Sequence, residues 1–523
     1  MSEDPRVEFV EENGVGSVGT TQLDPPWGLD RIDQRDLPLN NSYTYNQTGA
    51  GVNAYVIDTG LRTTHLEFGG RAFFAADFAN DGLPNNADCT VPPFANGHGT
   101  LVAGIVGGTT YGVAKNVSLH KVRVCHCNGD CFTDVIIQGV DWVTGNHVKP
   151  AVANMSLAAN PSGALDKSVR RSTAAGVTYV TIAGNRTPPQ DAINFSPARV
   201  TQAITVGATD ISDNRASFSN FGSVLDLFAP GVQIPSASSV SDTSTFTADG
   251  TSLAAPHVVG AVAQYLQLDP LTCPSAISQV ITGNATANKI PNPGTGSPNL
   301  LLFVPNPWPA QALFSLSLNG TSASFNVVPV PSTGVSLDIT ASITVEAWIK
   351  TNEFDKQDII ARYNPTASTG TDGGYAIRLL DDNRVRFRLY KNINSIATLD
   401  STVAVPTGGW HHVAGVFNGT QMKIFIDGIQ RGSLNSTFTP GTGTSNLRIG
   451  IGTDNARPFN GLIDEARVTA AAVYSANSTA QHRLTGVVNT KGLWRFDGQN
   501  AKDCADIHNG MLVGGATFST SVP

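Results

Sequence analysis

Charge is scarce in this chain of 523 residues: 33 Lys and Arg stand against 41 Asp and Glu, 14% of the total and a net −8. Soluble domains run nearer a quarter charged, roughly 25%, so disorder, coiled coil and highly charged tails are excluded as its main theme. The missing basic excess argues against gripping a phosphate backbone. No stretch reaches the roughly 18 apolar residues of a membrane-crossing helix. Internal repeats are absent, and Met1-Ser-Glu-Asp-Pro5 is polar where a secretory signal needs an apolar segment. The chain is therefore expected either to be cytosolic or to lack its true beginning. Cysteine is sparse as well: Cys89, Cys125, Cys127, Cys131, Cys273 and Cys504. An even count suits three bridges, with about fifteen pairings open. The Cys125–Cys131 cluster holds no CxxC pair, and His126 between two cysteines is a poor zinc pattern. Disulfides lead, with zinc or free thiols as alternatives. Triplets such as Asn40-Asn41-Ser42, Asn319-Gly-Thr and Asn435-Ser-Thr suit N-glycosylation but arise readily in Ser/Thr-rich chains. What is present is 41% hydrophobic residues over a length that suits two to four domains.

Those residues change their pattern halfway. In the first half, short, nearly continuous apolar runs (Val52–Ile57, Val117–Val124, Val152–Met155, Thr178–Ile182, Ala203–Val206) read as buried parallel strands. Helical patterns at Asp134–Val143, Ala164–Ala175 and Pro256–Leu268 interleave with or follow them, which predicts a mainly parallel α/β sheet covered by helices. Proline-rich words at 291–298 and 305–309 mark a boundary. Beyond it, short alternating segments separated by Gly, Asn and Asp turns predict an all-β sandwich or jelly roll.

Three positions in the first half carry chemistry. Asp58 ends a predicted buried strand, His98 opens a small apolar helix, and Ser252 sits at the start of another. Carboxyl ends of parallel strands and adjoining helix starts are where α/β folds assemble sites. A serine hydroxyl becomes a nucleophile once a histidine takes its proton and a carboxylate fixes that imidazole's tautomer. Taken singly, a turn aspartate, a satisfied histidine and an N-cap serine are the commoner explanations. The words around them, Val56-Ile-Asp-Thr-Gly60, Gly97-His-Gly-Thr100 and Gly250-Thr-Ser-Leu-Ala-Ala-Pro-His257, come in the order Asp, His, Ser of subtilisin-type triads.

With these words, and with Pro26-Trp-Gly-Leu-Asp-Arg-Ile32, Tyr111-Gly-Val-Ala-Lys115, Val122-Arg-Val124, Gly139-Val-Asp-Trp142 and Phe218–Asp226, residues 25–304 resemble the subtilase family of serine endopeptidases, in its proteinase K-like and aqualysin-like branch. The resemblance implies Ser252 as nucleophile, His98 as general base and then acid, Asp58 as its orienting partner and Asn185 as oxyanion donor. It implies that peptide binds as an added strand between Gly129-Asp130-Cys131 and Ser156-Leu157-Ala158. There Ala158-Ala159 replaces the family's usual Gly-Gly beside the first specificity pocket, and Asp130 adds a carboxylate on the opposite rim. It also implies a structural calcium ion on Asp226 with the carbonyls of Thr201 and Ala203, and a Cys89–Cys127 bridge, although Thr90–Ala95 intervenes before the histidine word. Cys125 and Cys131 then face pairing across the same loop, leaving Cys273 and Cys504, one in each domain. Residues 6–13 resemble the last strand of the inhibitor propeptide, so 1–24 is expected to be a propeptide remnant and junction.

Residues 312–523, after a Pro-rich linker at 305–311, resemble LamG-like, concanavalin A-like jelly rolls. The likeness rests on Leu337–Ile349, Gly409-Trp-His-His-Val-Ala414, Ile426-Asp-Gly428, Asn460–Val468 and Leu493-Trp-Arg-Phe-Asp497. It implies a fold; a glycan or matrix ligand, and calcium at Asp464, are carried only by analogy. The expectation is a secreted serine endopeptidase acting on protein or peptide substrates, with an appended binding module, no organic cofactor, no nucleic acid and no membrane span. An adhesin or lectin-like protein carrying an inactive protease fold is the alternative. A glycan hydrolase built on Glu346 and Glu465 lacks a paired-carboxylate word.

Overall fold

Runs that are apolar on both faces must be covered on both faces, and the first half does this with one sheet. The structure, a computed structural model, describes residues 19–309, 315–322, 324–328, 337–366, 373–443, 445–481, 483–484, 487, 489–496, 503–504, 509–513 and 515–523; the strand expected at 6–13 lies outside them. The sheet comprises β3 (Asn53–Asp58), β4 (Ala72–Asp77), β5 (Ser118–Arg123), β6 (Ala151–Met155), β7 (Thr178–Ile182), β8 (Ile204–Thr209) and β9 (Leu227–Pro230), extended by Leu300–Leu301 and Thr286–Ala287. From Leu300–Leu301 the order runs β9-β8-β7-β6-β3-β5-β4, parallel throughout; only Thr286–Ala287 is antiparallel. Alternate residues of β3 separate to two cores. Ala54 and Val56 pack under α2 (His98–Gly107) and α5 (Thr251–Leu268), whereas Tyr55 and Ile57 pack under α3 (Thr133–Asn146) and α4 (Gly163–Ala174). The chain winds away from β3 in both directions, so the carboxyl end of β3 is a topological switch point. Asp58 is that end. Ahead of the sheet, β1 (Thr20–Leu23) pairs with β2 (Ser42–Tyr45).

Helix α5 is longer than its apolar pattern. The helical pattern read over Pro256–Leu268 extends back to Thr251, which puts Ser252 at the helix start as expected and leaves Pro256 inside α5, where proline cannot donate a backbone hydrogen bond. The hydrogen bond proline cannot give would have gone to the Ser252 carbonyl four residues back. That carbonyl accepts from Ser156 Oγ at 2.9 Å instead.

The second half is a sandwich of two antiparallel sheets, eight-stranded and seven-stranded among the described residues, enclosing a core that includes Val345, Ile377, Phe387, Ile424 and Trp494. Gln357–Arg362 is a strand that alternation did not reveal, because Asp358 and Arg362 are both fully buried in it through ion pairs to Arg378, Arg457 and Asp338. Three disulfides close the cysteine count: Cys89–Cys127, Cys125–Cys131 and Cys273–Cys504. Among the described residues no helix is long and apolar enough to cross a membrane.

Candidate active site

Asp58 leaves β3 almost fully buried, and the first turn of α2 brings His98 over it, with His98 Nδ1 2.8 Å from Asp58 Oδ1. This close approach needs glycine: a Cβ on Gly99 would stand 2.1 Å from the Gly60 carbonyl oxygen. A residue absent from the sequence reading, Asp88, locks the two segments together. One of its oxygens accepts from Thr59 Oγ1 (2.8 Å) and the Cys89 N–H (2.7 Å), the other from the Thr100 N–H (2.8 Å) and Oγ1 (2.7 Å). Thr59 Oγ1 in turn accepts the Gly99 N–H at 3.0 Å. The residues flanking Asp58 and His98 are thus held by one buried carboxylate, whose pKa burial raises. Burial alone would lower the His98 pKa; the charge and hydrogen bond of Asp58, with the charge of Asp88, outweigh it, and the net shift is upward.

Ser252 lies in the first turn of α5, 7% exposed, where a Cβ on the preceding Gly250 would come within 2.7 Å of its Oγ. Asn185 follows β7, and its Oδ1 accepts from both the N–H (3.0 Å) and Oγ1 (2.8 Å) of Thr251. With the carbonyl end of the amide tied back, its NH2 end is left to donate. Asp58, His98, Asn185 and Ser252 line one cleft together with Phe94, Gly129, Cys131, Ser156, Leu157, Ala158, Ile182, Gly184 and Phe195. Ser156 joins floor to helix: its Oγ accepts from Asn154 Nδ2 at 3.0 Å and donates to the Ser252 carbonyl. Such a cleft presents a hydroxyl, an imidazole backed by a carboxylate, and an amide donor at one place, the set required for acyl transfer.

One rim expectation changes. Ala158 faces the cleft, but Ala159 pairs with Ser196 (2.8 and 3.0 Å) and packs against the core under α3 and α4, so it adds no methyl group to the pocket. Asp130 is exposed, and its carboxylate accepts from Asn128 Nδ2 at 2.8 Å. His257, in the same word as Ser252, stands outside the cleft and is a buried structural ring whose Nδ1 lies 2.8 Å from the Leu253 carbonyl.

The calcium candidates are less assembled. The carboxylate of Asp226 accepts the Thr205 N–H at 2.7 Å, beside the turn that carries Thr201 and Ala203. Asp464 is buried in the sandwich strand Asn460–Thr469, where its Oδ1 accepts the Glu465 N–H. One carboxylate with backbone carbonyls is an oxygen set of the kind calcium takes. No group of three or more His, Cys, Asp or Glu able to hold a metal occurs among the described residues.

Comparison with known proteins agrees with this geometry. Residues 49–300 match the subtilase family, and residues 321–477 the concanavalin A-like lectin/glucanases superfamily. An extracellular serine proteinase of Thermus sp. (strain Rt41A) is 53% identical over 305 residues, 58% of this chain and 72% of that protein. Proteinase T of Parengyodontium album is 45% identical over 267 residues, 50% of this chain and 87% of that one. The crystal structure of a cold-adapted subtilisin-like serine proteinase superposes with a TM-score of 0.51 at 48% identity, covering 54% of this chain and 98% of that one.

Proposed function

The chain belongs to the subtilase family and is a serine endopeptidase; from that premise we propose that Ser252, His98, Asp58 and Asn185 carry the hydrolysis. The observation that carries the reading is the 2.8 Å contact of His98 Nδ1 with buried Asp58 in a cleft shared with Ser252 and Asn185. Asp58 holds His98 with Nδ1 protonated, which leaves Nε2 free to take the Ser252 proton as Oγ attacks the scissile carbonyl. The oxyanion that forms receives hydrogen bonds from Asn185 Nδ2 and the Ser252 N–H; one such donor is worth about 2.7–4 kcal/mol of barrier. His98 then protonates the leaving amine, and water, activated by the same imidazole, releases the acyl group from Ser252. Substrate runs as an added strand between Gly129–Cys131 and Ser156–Ala158, with Ala158 at the mouth of the first pocket.

In this reading residues 25–304 are the protease and 312–523 a module for a glycan or matrix ligand. The enzyme works outside the cell, as the name of the Thermus relative states for that protein. Calcium bound through Asp226, Thr201 and Ala203 would brace the loop before β8 and take no part in the chemistry. The decisive experiment is labelling with a fluorophosphonate probe. Ser252→Ala is expected to abolish it, and Ser252→Ala, His98→Ala and the double variant are expected to lose peptide hydrolysis to the same level, because the triad acts as a unit. Labelling that survives Ser252→Ala, or losses that multiply, would sink the assignment. A binding protein with an idle protease fold would take up no probe in its unmodified form.

A further inference from the structure

Between Cys89 and Asn96 the chain carries six residues, Thr90–Ala95, and both flanks of this stretch are fastened. Cys89 is bridged to Cys127, and its carbonyl accepts from Ser239 Oγ at 2.7 Å. At the far side the Ser239 N–H donates to the Asn96 carbonyl at 2.9 Å, and the Gly97 N–H to the Phe94 carbonyl at 2.8 Å. Held this way, half-buried Phe94 sets its ring 5.4 Å from that of His98, centroid to centroid, with the planes 44° apart. Phe94 is a wall of the same cleft as Ser252. Beside it, Pro93 reaches the substrate strand: a Cβ on Gly129 would meet Pro93 Cγ at 3.2 Å.

An extended peptide sends successive side chains to opposite sides. If the residue that offers its carbonyl to Ser252 points into the pocket by Leu157 and Ala158, the residue before it points the other way, toward His98 and Phe94. We propose that Phe94 is a specificity-determining residue, the wall against which the side chain of the second residue before the scissile bond packs. An aromatic wall rewards apolar contact, and it offers a carboxylate no donor in exchange for lost water. The position therefore prefers Leu or Val over Asp or Glu. This rests on the triad reading above.

The test is kcat/KM for paired peptides that differ only at that position, Leu against Glu, with active sites counted by fluorophosphonate titration so that unfolded protein drops out. Phe94→Ala should reduce the Leu-to-Glu ratio about tenfold, the scale on which an apolar pocket discriminates, while preference at the residue before the cut stays as it was. Phe94→Leu, which keeps an apolar wall, should lose less. A ratio unchanged in Phe94→Ala, or a loss shared equally by every position, would overturn the proposal. If Phe94→Ala yields no titratable sites, Phe94→Gln carries the test with the same two outcomes. Failure of the triad reading has its own signature, hydrolysis that persists in Ser252→Ala.

Discussion

His98 and His257 carry the same ring and are driven in opposite directions. Asp58 and, further off, Asp88 pull the His98 pKa up despite burial, so the acid limb of kcat/KM should have its midpoint above the ordinary histidine value of about 6.5. Asp58→Asn should move that midpoint down while lowering the rate; a midpoint that stays put would detach Asp58 from His98. At His257 burial outweighs the hydrogen bond with the Leu253 carbonyl and depresses the pKa to about 4. Between roughly pH 6.5 and 4 the unfolded chain holds a proton on this ring that the folded chain refuses. Stability is therefore fully present above that window and falls through it on acidification, by about 3 kcal/mol in all. Urea unfolding at stepped pH checks this: His257→Gln should flatten the slope by close to one proton, and an unchanged slope would rule it out. Sequence alone marked His98 through the glycines and threonine around it. The role of Asp88 was invisible, because its partners lie 29 and 12 residues away and meet only after folding.

At the scale of elements, what could be read were faces; what could not were the exchanges between faces. Val52–Ile57 and Thr178–Ile182 were legible as strands because both their sides are apolar, and β3 and β7 fall within one residue of them. The helix start at Ser252 was legible from its word, but not how Pro256 is accommodated inside α5: the carbonyl it leaves without a backbone donor takes one from Ser156, on another loop. The inward direction of Ala158 and the outward direction of Ala159 depended on a pairing with Ser196 that no local pattern encodes. In the sandwich, Glu346 shows how far burial can be carried when partners converge. From its place in the strand Ile343–Thr351 it accepts from Arg467 Nε (2.8 Å), contacts His412 Nε2 (3.0 Å) and accepts from Tyr474 OH (2.7 Å). Burial would raise its pKa, but Arg467 and His412 hold it down to about 2. Breaking one side of a buried ion pair typically costs about 3–5 kcal/mol. Glu346→Gln, nearly the same shape, should lower the stability of the full chain on that scale in urea unfolding. A loss under about 1 kcal/mol, the size of a surface pair, would show that the network contributes little.

Across the whole molecule, the Pro-rich segment read as a linker is partly claimed by the protease core: Trp308 is 4% exposed and meets Tyr265 edge-on at 5.5 Å. The second half is then held to the first by more than its covalent chain. Cys273, at the N-cap of α6 (Pro274–Asn284), is bridged to Cys504 over a separation of 231 residues, and the Ser275 N–H donates to the Cys504 carbonyl at 3.2 Å. Around the bridge, Arg483 grips Asp269 with its Nη1 at 3.0 and 2.8 Å, and Arg495 donates to the Leu271 carbonyl. A bridge closing so long a loop restricts the unfolded chain strongly, and removing a native disulfide typically costs about 2–5 kcal/mol. The double variant Cys273→Ser/Cys504→Ser should lose that much in urea unfolding. It should keep its fluorophosphonate labelling, because neither cysteine lines the cleft that holds Ser252. A cleavage sequence inserted between Pro309 and Ala310 gives the sharper measurement. After cutting, the halves should run as one band on a denaturing gel without reductant and as two with it. In the double variant they should run as two under both conditions. Separation of the cut wild-type chain without reductant would mean that Cys273 and Cys504 are not joined.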